Sequence, residues 1–382
     1  MTLKPIRRVV AGLDERGAAR VLMDGPAPNA HPTSMSSARG HTDLWVWHDA
    51  PLELRNPADA SLDRYVFPGE PRGGHLRVVQ SAGRRRDYDQ ARDPDYVPHH
   101  PPKLRPGTKG TWDRGGNSQC TSSMHKTQSI DFGMMLNGRR LCVLDEGEVM
   151  IEAGDVIIQV GAWHEWHYPV DGQMAFDMIG ADFPDGNGTA TGNDRPLAPR
   201  AAPADVKLTR RIVTIDGPDG RSRVVSDGPC PDFVLDPARP GYCSQRLWVT
   251  ERAPAPIVYE TLHLPRTLEP EHGGAVFRVD ILPPDRTWQG QVDEAAVRAH
   301  YARMGSPAAC AWTADAPHPY LQKTSTFDYC VVLEGEAVLV LEHEERVLQQ
   351  GEVALVKGVR HAWANRSDAR ALVAVSSHEG RY

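Results

Sequence analysis

The chain has 382 residues, of which 40% are hydrophobic, and its net charge is −7 at neutral pH. This length exceeds one ordinary domain and suits two, and the acidic balance gives no sign of a nucleic-acid partner. No apolar run approaches the roughly 18 residues that a membrane span needs. The 34 glycines and 32 prolines favour a turn-rich β fold over a helical bundle.

The first residues contain no apolar core of the kind that a signal peptide has, so we expect a cytoplasmic protein. The six cysteines are scattered along the chain, and no Cys-x-x-Cys pair occurs. This spacing argues against both a disulfide framework and a zinc knuckle.

Short strings from the first half of the chain recur in the same order in the second half. Arg7-Arg8-Val9-Val10 returns 203 positions later as Arg210-Arg211-Ile212-Val213. Further along, His164 and Trp166 return 197 positions later as His361 and Trp363. A conserved order with so small a drift indicates an internal repeat, because unrelated segments would not keep it. The repeat predicts domains at 1–184 and 208–382, joined by a linker at 185–207 that is rich in Gly, Asn, Thr, Pro and Ala.

The expected elements follow the same rhythm in both copies. The first copy has a polar, Pro-rich loop at about 84–118 and then short strands separated by glycines from Ile130 to Phe183. In the second copy Asp293 is a good N-cap for a helix that ends before Gly305. The sequence Glu334-Gly335-Glu336 then interrupts a Val- and Leu-rich stretch in the manner of a hairpin turn. These patterns predict an all-β fold with one minor helix.

Two motifs in each copy resemble those of the cupin superfamily, whose domains are small jelly-roll barrels. The usual first motif is His-x-His, a Glu and a Gly, and the second is Gly-Asp, a Pro-x-Gly turn and a His. The first copy matches with His125, Thr127 in place of the second His, Asp131 in place of Glu, Gly138, Gly154-Asp155, Gly161 and His164. The second copy keeps Gly351-Glu352, Gly358, His361 and Asn365, but its first motif is reduced to Gln322, Thr324 and Asp328.

With its flanking strings the chain is similar to a bacterial and fungal cupin subfamily that reads His-Arg-Thr-x-Thr-x-Asp-Tyr. The resemblance implies a bicupin, that is, two tandem cupin jelly-roll barrels. It implies a candidate active site in the first barrel and a degenerate site in the second, formed by Gln322, Thr324, Asp328 and His361.

Alternation along the strands selects the side chains that face the interior of the first barrel. His125, Asp131 and His164 form the inward set, and two imidazoles with one carboxylate make a facial triad that binds Fe(II). Zinc, manganese or nickel would accept the same ligands, and a site without metal is the other reading. Alternation also turns His167 outward, where it would be a surface histidine.

Further inward residues are expected to form the substrate pocket. Thr127, Met135 and Trp166 would line it, and the Tyr168 hydroxyl would orient the substrate or act as an acid or base. Ordinary barrel packing is the competing interpretation for each of these side chains.

Three functions agree with this pattern. The first is a metalloenzyme, in particular a dioxygenase-type oxidoreductase, that acts on a small aromatic or carbonyl-bearing molecule. The second is a metal-independent lyase or isomerase, similar to a dehydratase, with histidine as general base. The third is a non-catalytic bicupin that binds a small molecule. A homodimer formed through barrel edge strands is a further expectation.

Overall fold

The computed structural model describes residues 3–33, 39–63, 70–83, 92, 94, 97–108, 110–116, 122–183, 188–192, 197–198, 200–204 and 206–382. Part of the predicted 84–118 loop, including residues 84–91, lies outside these residues. Within them the ordered structure is almost entirely strand, which confirms the all-β prediction. No helix in the described ranges combines the length and the apolar character that crossing a bilayer demands.

The first repeat forms fifteen of the described strands and a single-turn 3₁₀ helix at Ala60–Leu62. Their bounds are β1 Arg7–Leu13, β2 Ala19–Pro26, β3 Asn29–Pro32, β4 Gly40–Trp47, β5 Leu52–Glu53, β6 Gly74–Ser81, β7 Lys103–Leu104, β8 Thr111–Asp113, β9 His125–Thr127, β10 Ser129–Asn137, β11 Arg139–Leu144, β12 Gly147–Glu152, β13 Val156–Val160, β14 Glu165–His167 and β15 Gly172–Asp182.

The second repeat adds twelve strands, one α-helix and short 3₁₀ turns at Asp285–Thr287, Gln289–Gln291 and Pro307–Ala309. Their bounds are β16 Arg210–Asp216, β17 Ser222–Pro229, β18 Phe233–Leu235, β19 Cys243–Thr250, β20 Ala255–Pro256, β21 Ala275–Leu282, α1 Glu294–Arg303, β22 Thr326–Glu334, β23 Glu336–Val340, β24 Glu345–Gln349, β25 Val353–Lys357, β26 Ala362–Ala364 and β27 Ala371–Arg381. The helix begins as predicted, since the Asp293 carboxylate accepts a hydrogen bond from the Ala296 amide at 2.9 Å.

Two large sheets have the same strand order. The first runs β17-β16-β13-β10-β15-β6-β4-β3, and the second runs β2-β1-β25-β22-β27-β21-β19-β18. A three-stranded sheet accompanies each of them, β12-β11-β14 in one case and β24-β23-β26 in the other. Each barrel is thus a double-sheet jelly roll.

The two barrels exchange their first hairpins. β1 pairs in parallel with β25 of the second repeat, and β16 pairs in parallel with β13 of the first repeat. Residues 7–26 therefore complete the second large sheet, and residues 210–229 complete the first. The predicted boundaries follow the sequence repeat, whereas each sheet contains strands from both repeats.

A shared apolar core joins the two large sheets. Phe132 of the first sheet stacks on Phe277 of the second, with ring centroids 4.7 Å apart and the planes within 4°. Trp45 packs on Phe327 at 5.3 Å. The opposite faces of the central strands line the barrel interiors, so these strands are buried on both sides, whereas the edge strands β2, β3 and β17 are partly exposed.

The prediction of a hairpin at Gly335 was wrong. β22 and β23 lie in different sheets, and Gly335, with a φ of 75°, turns the chain from the large sheet into the small one. The left-handed backbone conformation at this corner favours glycine, because a residue with a side chain would be strained there. Gly138 has the same role in the first barrel, with a φ of 70°.

Candidate active site in the first barrel

His125 and His164 meet inside the first barrel. His125 begins β9 and His164 precedes β14, and the two residues exchange a pair of backbone hydrogen bonds of 2.9 Å. The ring centroids are 4.3 Å apart, and both side chains are almost completely buried. Two residues 39 positions apart in the sequence are therefore fixed side by side by backbone pairing.

The hydrogen bonds of these imidazoles define their tautomers. Nδ1 of His125 lies 2.8 Å from the Ser123 carbonyl oxygen, and Nδ1 of His164 lies 2.9 Å from that of Ala162. A carbonyl oxygen only accepts, so each Nδ1 donates and each Nε2 keeps its lone pair. Burial lowers the pKa of His125 to about 4 and holds that of His164 well below its usual range, so both rings are neutral near pH 7. Two neutral imidazoles that each keep an Nε2 lone pair are suited to metal coordination.

Asp131 faces the same interior from β10. Its Oδ1 is buried and has no hydrogen-bond partner among the described residues. Burial is the main cause that raises the pKa of this carboxyl to about 7, against the opposing effect of a hydrogen bond from Ser129. In the described part of the chain Asp131 does not join His125 and His164 in a group whose ligand atoms all lie within 4.8 Å. The two histidines are suited to bind a metal ion. The role of Asp131 as a third ligand stays a prediction.

A row of buried polar groups continues from Asp131 across the sheet. In the strand register Asp131 is opposite Gln159, and Gln159 is opposite Thr214, which belongs to the exchanged hairpin. Gln159 Oε1 and Thr214 Oγ1 are also buried without a hydrogen-bond partner in the described structure. Such atoms are costly unless water or a ligand satisfies them, so this row indicates a hydrated or ligand-binding interior.

Arg140 is an interior residue that the sequence reasoning missed. Its guanidinium carbon lies 3.8 Å from the ring centroid of Trp166, 4.4 Å from that of Tyr168 and 5.2 Å from that of Phe176. The side chain is buried, and among the described residues no carboxylate forms an ion pair with it. Burial lowers the pKa of Arg140 to about 10, so the group remains cationic at neutral pH. Trp166 also contacts His164, with centroids 5.4 Å apart, and thus connects the cation to the histidine pair.

The predicted pocket residues are all in the first barrel. Met135, Trp166 and Tyr168 belong to its interior apolar cluster, and the Thr127 hydroxyl lies 2.7 Å from that of Ser129. Burial raises the pKa of Tyr168. His167 was predicted to be a surface histidine, and this was wrong, because both His167 and its neighbour Glu165 are buried. Chain around Gly116 covers this face of β14, where a Cβ on Gly116 would lie 2.6 Å from Glu165 Oε2.

The equivalent position in the second barrel is closed by an amide. Gln322 Nε2 lies 3.1 Å from His361 Nε2, while His361 Nδ1 donates to the Val359 carbonyl oxygen. The remaining His361 lone pair therefore accepts from Gln322. Asp328 Oδ2 is 3.8 Å from the same imidazole, and the Thr324 hydroxyl lies 2.7 Å from that of Thr326.

Three positions of the second interior are apolar where the first barrel has polar side chains, although a buried ion pair of Arg278 and Asp280 lies elsewhere in the second barrel. Val356 and Ala11 occupy the register positions that Gln159 and Thr214 hold in the first barrel. Ala337 lies in the interior apolar cluster at the position of Arg140. The groups that distinguish the first barrel are thus the histidine pair, the polar row and the buried cation.

Another histidine cluster lies on the edge of the first large sheet. His31, His41 and Asp43 offer ligand atoms that all lie within 4.8 Å of one another, a spacing that could hold a metal ion. Burial lowers the pKa of His41 to about 4, and Arg77 acts in the same direction. The sequence contains the corresponding signal, a His-x-Asp pattern in a strand, but this pattern lies outside the two cupin-like motifs.

A cleft of 470 Å³ opens on the other side of β9, where its lining includes Trp112, Lys126, Trp163 and Phe183. Lys126 is buried against Asp216 of the exchanged hairpin, with which it forms an ion pair. Alternation along β9 thus places His125 and Thr127 toward the interior and Lys126 toward this cleft.

The chain is similar to several solved structures at low sequence identity. No protein-family model matches the chain. A cupin 2 conserved barrel domain protein from Leptotrichia buccalis matches over 80% of this chain and 83% of its own, with 8% identity and a TM-score of 0.34. Quercetin 2,3-dioxygenase from Acinetobacter baumannii matches over 80% and 74%, with 12% identity and a TM-score of 0.32.

The curated relatives match over shorter stretches. Phomopsin biosynthesis cluster protein D of Diaporthe leptostromiformis is 48% identical over 48 residues, which are 12% of this chain and 25% of that protein. Oryzines biosynthesis cluster protein J of Aspergillus oryzae is 30% identical over 90 residues, which are 23% of this chain and 50% of that protein. The chain therefore spans a quarter to a half of the length of these relatives.

The strand order defines the class of protein. Each barrel presents a large, mostly antiparallel sheet against a three-stranded sheet, and the motif residues lie between the two sheets. The chain has the two-barrel, all-β fold of the cupin superfamily, as the motifs predicted.

Proposed function

We propose that the first barrel is the active site of a metal-dependent oxidoreductase that acts on a small, anionic organic molecule. The observation that carries this proposal is the buried pair of neutral imidazoles, each fixed through Nδ1 and without a hydrogen bond to Nε2 from any described residue. His125 and His164 would hold the ion. A divalent metal with open positions, iron in particular, would supply a binding site for substrate and O₂.

The aromatic side chains around Arg140 would shape the site and keep water away from the substrate. Trp166, Tyr168 and Phe176 surround the guanidinium, and apolar walls strengthen any charge interaction inside them. The polar row at Asp131 would bind hydroxyl or carbonyl groups of the substrate through atoms that have no hydrogen-bond partner in the described part of the chain.

Arg140 supports an anionic substrate group, such as a carboxylate or an enolate. A buried charge without a counter-ion costs several kcal/mol, and contacts with aromatic rings return about 0.5–2 kcal/mol of it. A carboxylate on the substrate would balance the charge and bind in a bidentate manner. The second barrel has alanine at this position, so the requirement is specific to the first.

The names of the curated relatives agree with small-molecule chemistry. The matched stretches belong to proteins of biosynthesis clusters in two fungi. We extend to this chain only the inference that its substrate is a metabolite of low molecular weight.

Metal content of untagged protein, measured by inductively coupled plasma mass spectrometry, tests the proposal. We expect His125→Ala and His164→Ala each to contain close to one divalent metal ion per chain fewer than wild type. His361→Ala is the matched control, because it removes the equivalent histidine of the second barrel, and it should keep the ion. Equal metal content in all four proteins, or none after reconstitution with Fe(II), Zn(II) and Mn(II), would contradict the proposal.

One observation favours a second function, a metal-independent lyase or isomerase. Asp131 has a pKa of about 7 and does not share a close ligand group with the two histidines. A carboxyl group that is half protonated near neutral pH is suited to proton transfer. Asp131→Asn separates the two roles. If Asp131 is a third metal ligand, the variant should bind metal more weakly, and if it only transfers protons, metal affinity should be unchanged.

A further inference from the structure

We infer that His31, His41 and Asp43 form a divalent-metal site of the zinc class at the edge of the first large sheet, separate from the proposed active site. The three residues lie on β3 and β4, whereas the proposed active site lies around β9, β10 and β14. The inference does not depend on the proposed function.

The ligand atoms converge on one carboxylate oxygen. His31 Nε2 is 3.5 Å and His41 Nε2 is 3.8 Å from Asp43 Oδ2. Ligands bound to one zinc ion at about 2.0–2.2 Å each lie roughly 3–3.7 Å apart, so small shifts would admit the ion. The two imidazoles stack with centroids 4.8 Å apart.

Strand pairing explains this convergence. His31 and His41 are directly opposite each other in the antiparallel register of β3 and β4. Asp43 follows His41 by two positions, so it lies on the same face of β4. The backbone thus places all three side chains on one face of the sheet edge.

Arg77 on the neighbouring strand β6 orients the carboxylate. Its Nε donates to Asp43 Oδ1 at 2.7 Å, which leaves Oδ2 directed at the two imidazoles. A partner that holds the outer oxygen of a ligating carboxylate is typical of metal centres. Asp43 is almost completely buried, while the His31 side chain is 48% exposed, so an ion could enter from solvent.

The second repeat has lost every one of these ligands. Val234 and Ser244 are paired in the register that His31 and His41 occupy, and Arg246 stands at the position of Asp43. The cluster is thus a specific feature of the first repeat. A bound ion would fasten the edge strand β3 to β4 and leave a fourth position for water.

Zn(II) binding to chelator-stripped protein, measured by isothermal titration calorimetry, tests the inference. The background is the double variant His125→Ala/His164→Ala, which removes the other candidate ligands. We expect one zinc ion per chain, an affinity at least tenfold weaker in His31→Ala and in Asp43→Asn, and a fall of about 10–100-fold in Arg77→Gln. Cobalt(II) should give a visible d–d spectrum that these variants lose.

His48→Ala is the matched control, because His48 is an exposed histidine at the end of the same strand. His31→Ala removes a half-exposed side chain, so it should fold normally, and circular dichroism would verify this. Zinc affinity in His31→Ala and Asp43→Asn equal to that of His48→Ala, or no zinc binding in the background protein, would overturn the inference. Neither result bears on the metal content of the proposed active site.

Discussion

Replacement of Arg140 by methionine is expected to stabilise the protein. Burial lowers the pKa of the guanidinium from 12.5 to about 10. A difference of this size corresponds to about 3 kcal/mol of unfavourable free energy for the charged group in the folded state. The folded pKa lies below the unfolded one, so this cost applies at every pH below about 10. Methionine removes the charge and keeps most of the apolar volume.

The loss of contacts between the cation and the rings offsets part of that gain. Trp166, Tyr168 and Phe176 contribute about 0.5–2 kcal/mol through these contacts. We therefore expect Arg140→Met to raise the free energy of unfolding by about 1–3 kcal/mol. The physical reason is that the buried guanidinium, which we propose binds the substrate, lowers the free energy of unfolding when no ligand balances its charge.

Urea unfolding followed by tryptophan fluorescence measures this change. Arg139→Met is the matched control, because Arg139 is the exposed neighbour on the same strand, and its effect should stay within about 0.5 kcal/mol. The m-values of the three proteins should agree, so that the midpoints report stability alone. A loss of more than about 1 kcal/mol in Arg140→Met would refute the reasoning and make the cation a structural element of the barrel.

Three further predictions concern other charged residues. Asp131 has a folded pKa of about 7 against 3.8, so between pH 5 and 8 metal-free wild type should lose about 3 kcal/mol of stability relative to Asp131→Asn, as urea titrations of both proteins at the two pH values would show. The comparison with Asp131→Asn cancels the titration of His125 and His164, whose lowered pKa values act in the opposite direction. Asp216→Asn breaks the buried pair with Lys126 and should cost about 3–5 kcal/mol in the same assay, a loss that Lys126→Met should partly reverse. Asp293→Ala removes the helix cap and should cost about 1 kcal/mol by thermal unfolding.

The repeat and its motifs were sufficient to predict the fold and to bring His125 and His164 together. Backbone pairing places motif residues at fixed strand positions, so a sequence match carries geometry with it. The burial of Arg140 was not predicted, because Arg139-Arg140 beside Gly138 resembles an exposed turn. Its alternation with Cys142 and Leu144, which are both buried, was the available signal. A strand pattern also does not say which sheet a strand joins, so it gave no information on the exchanged hairpins.

The exchanged hairpins have a consequence for how such a chain arises. The position beside β13 is filled by a strand of the second repeat, and the position beside β25 by a strand of the first. One repeat alone would be half of an intertwined dimer in which two copies lend each other a hairpin. Fusion through the 185–207 segment turns that association into an intramolecular step, governed by effective concentration rather than by the amount of protein. It also frees one copy to lose its site while it continues to complete the barrel of the other.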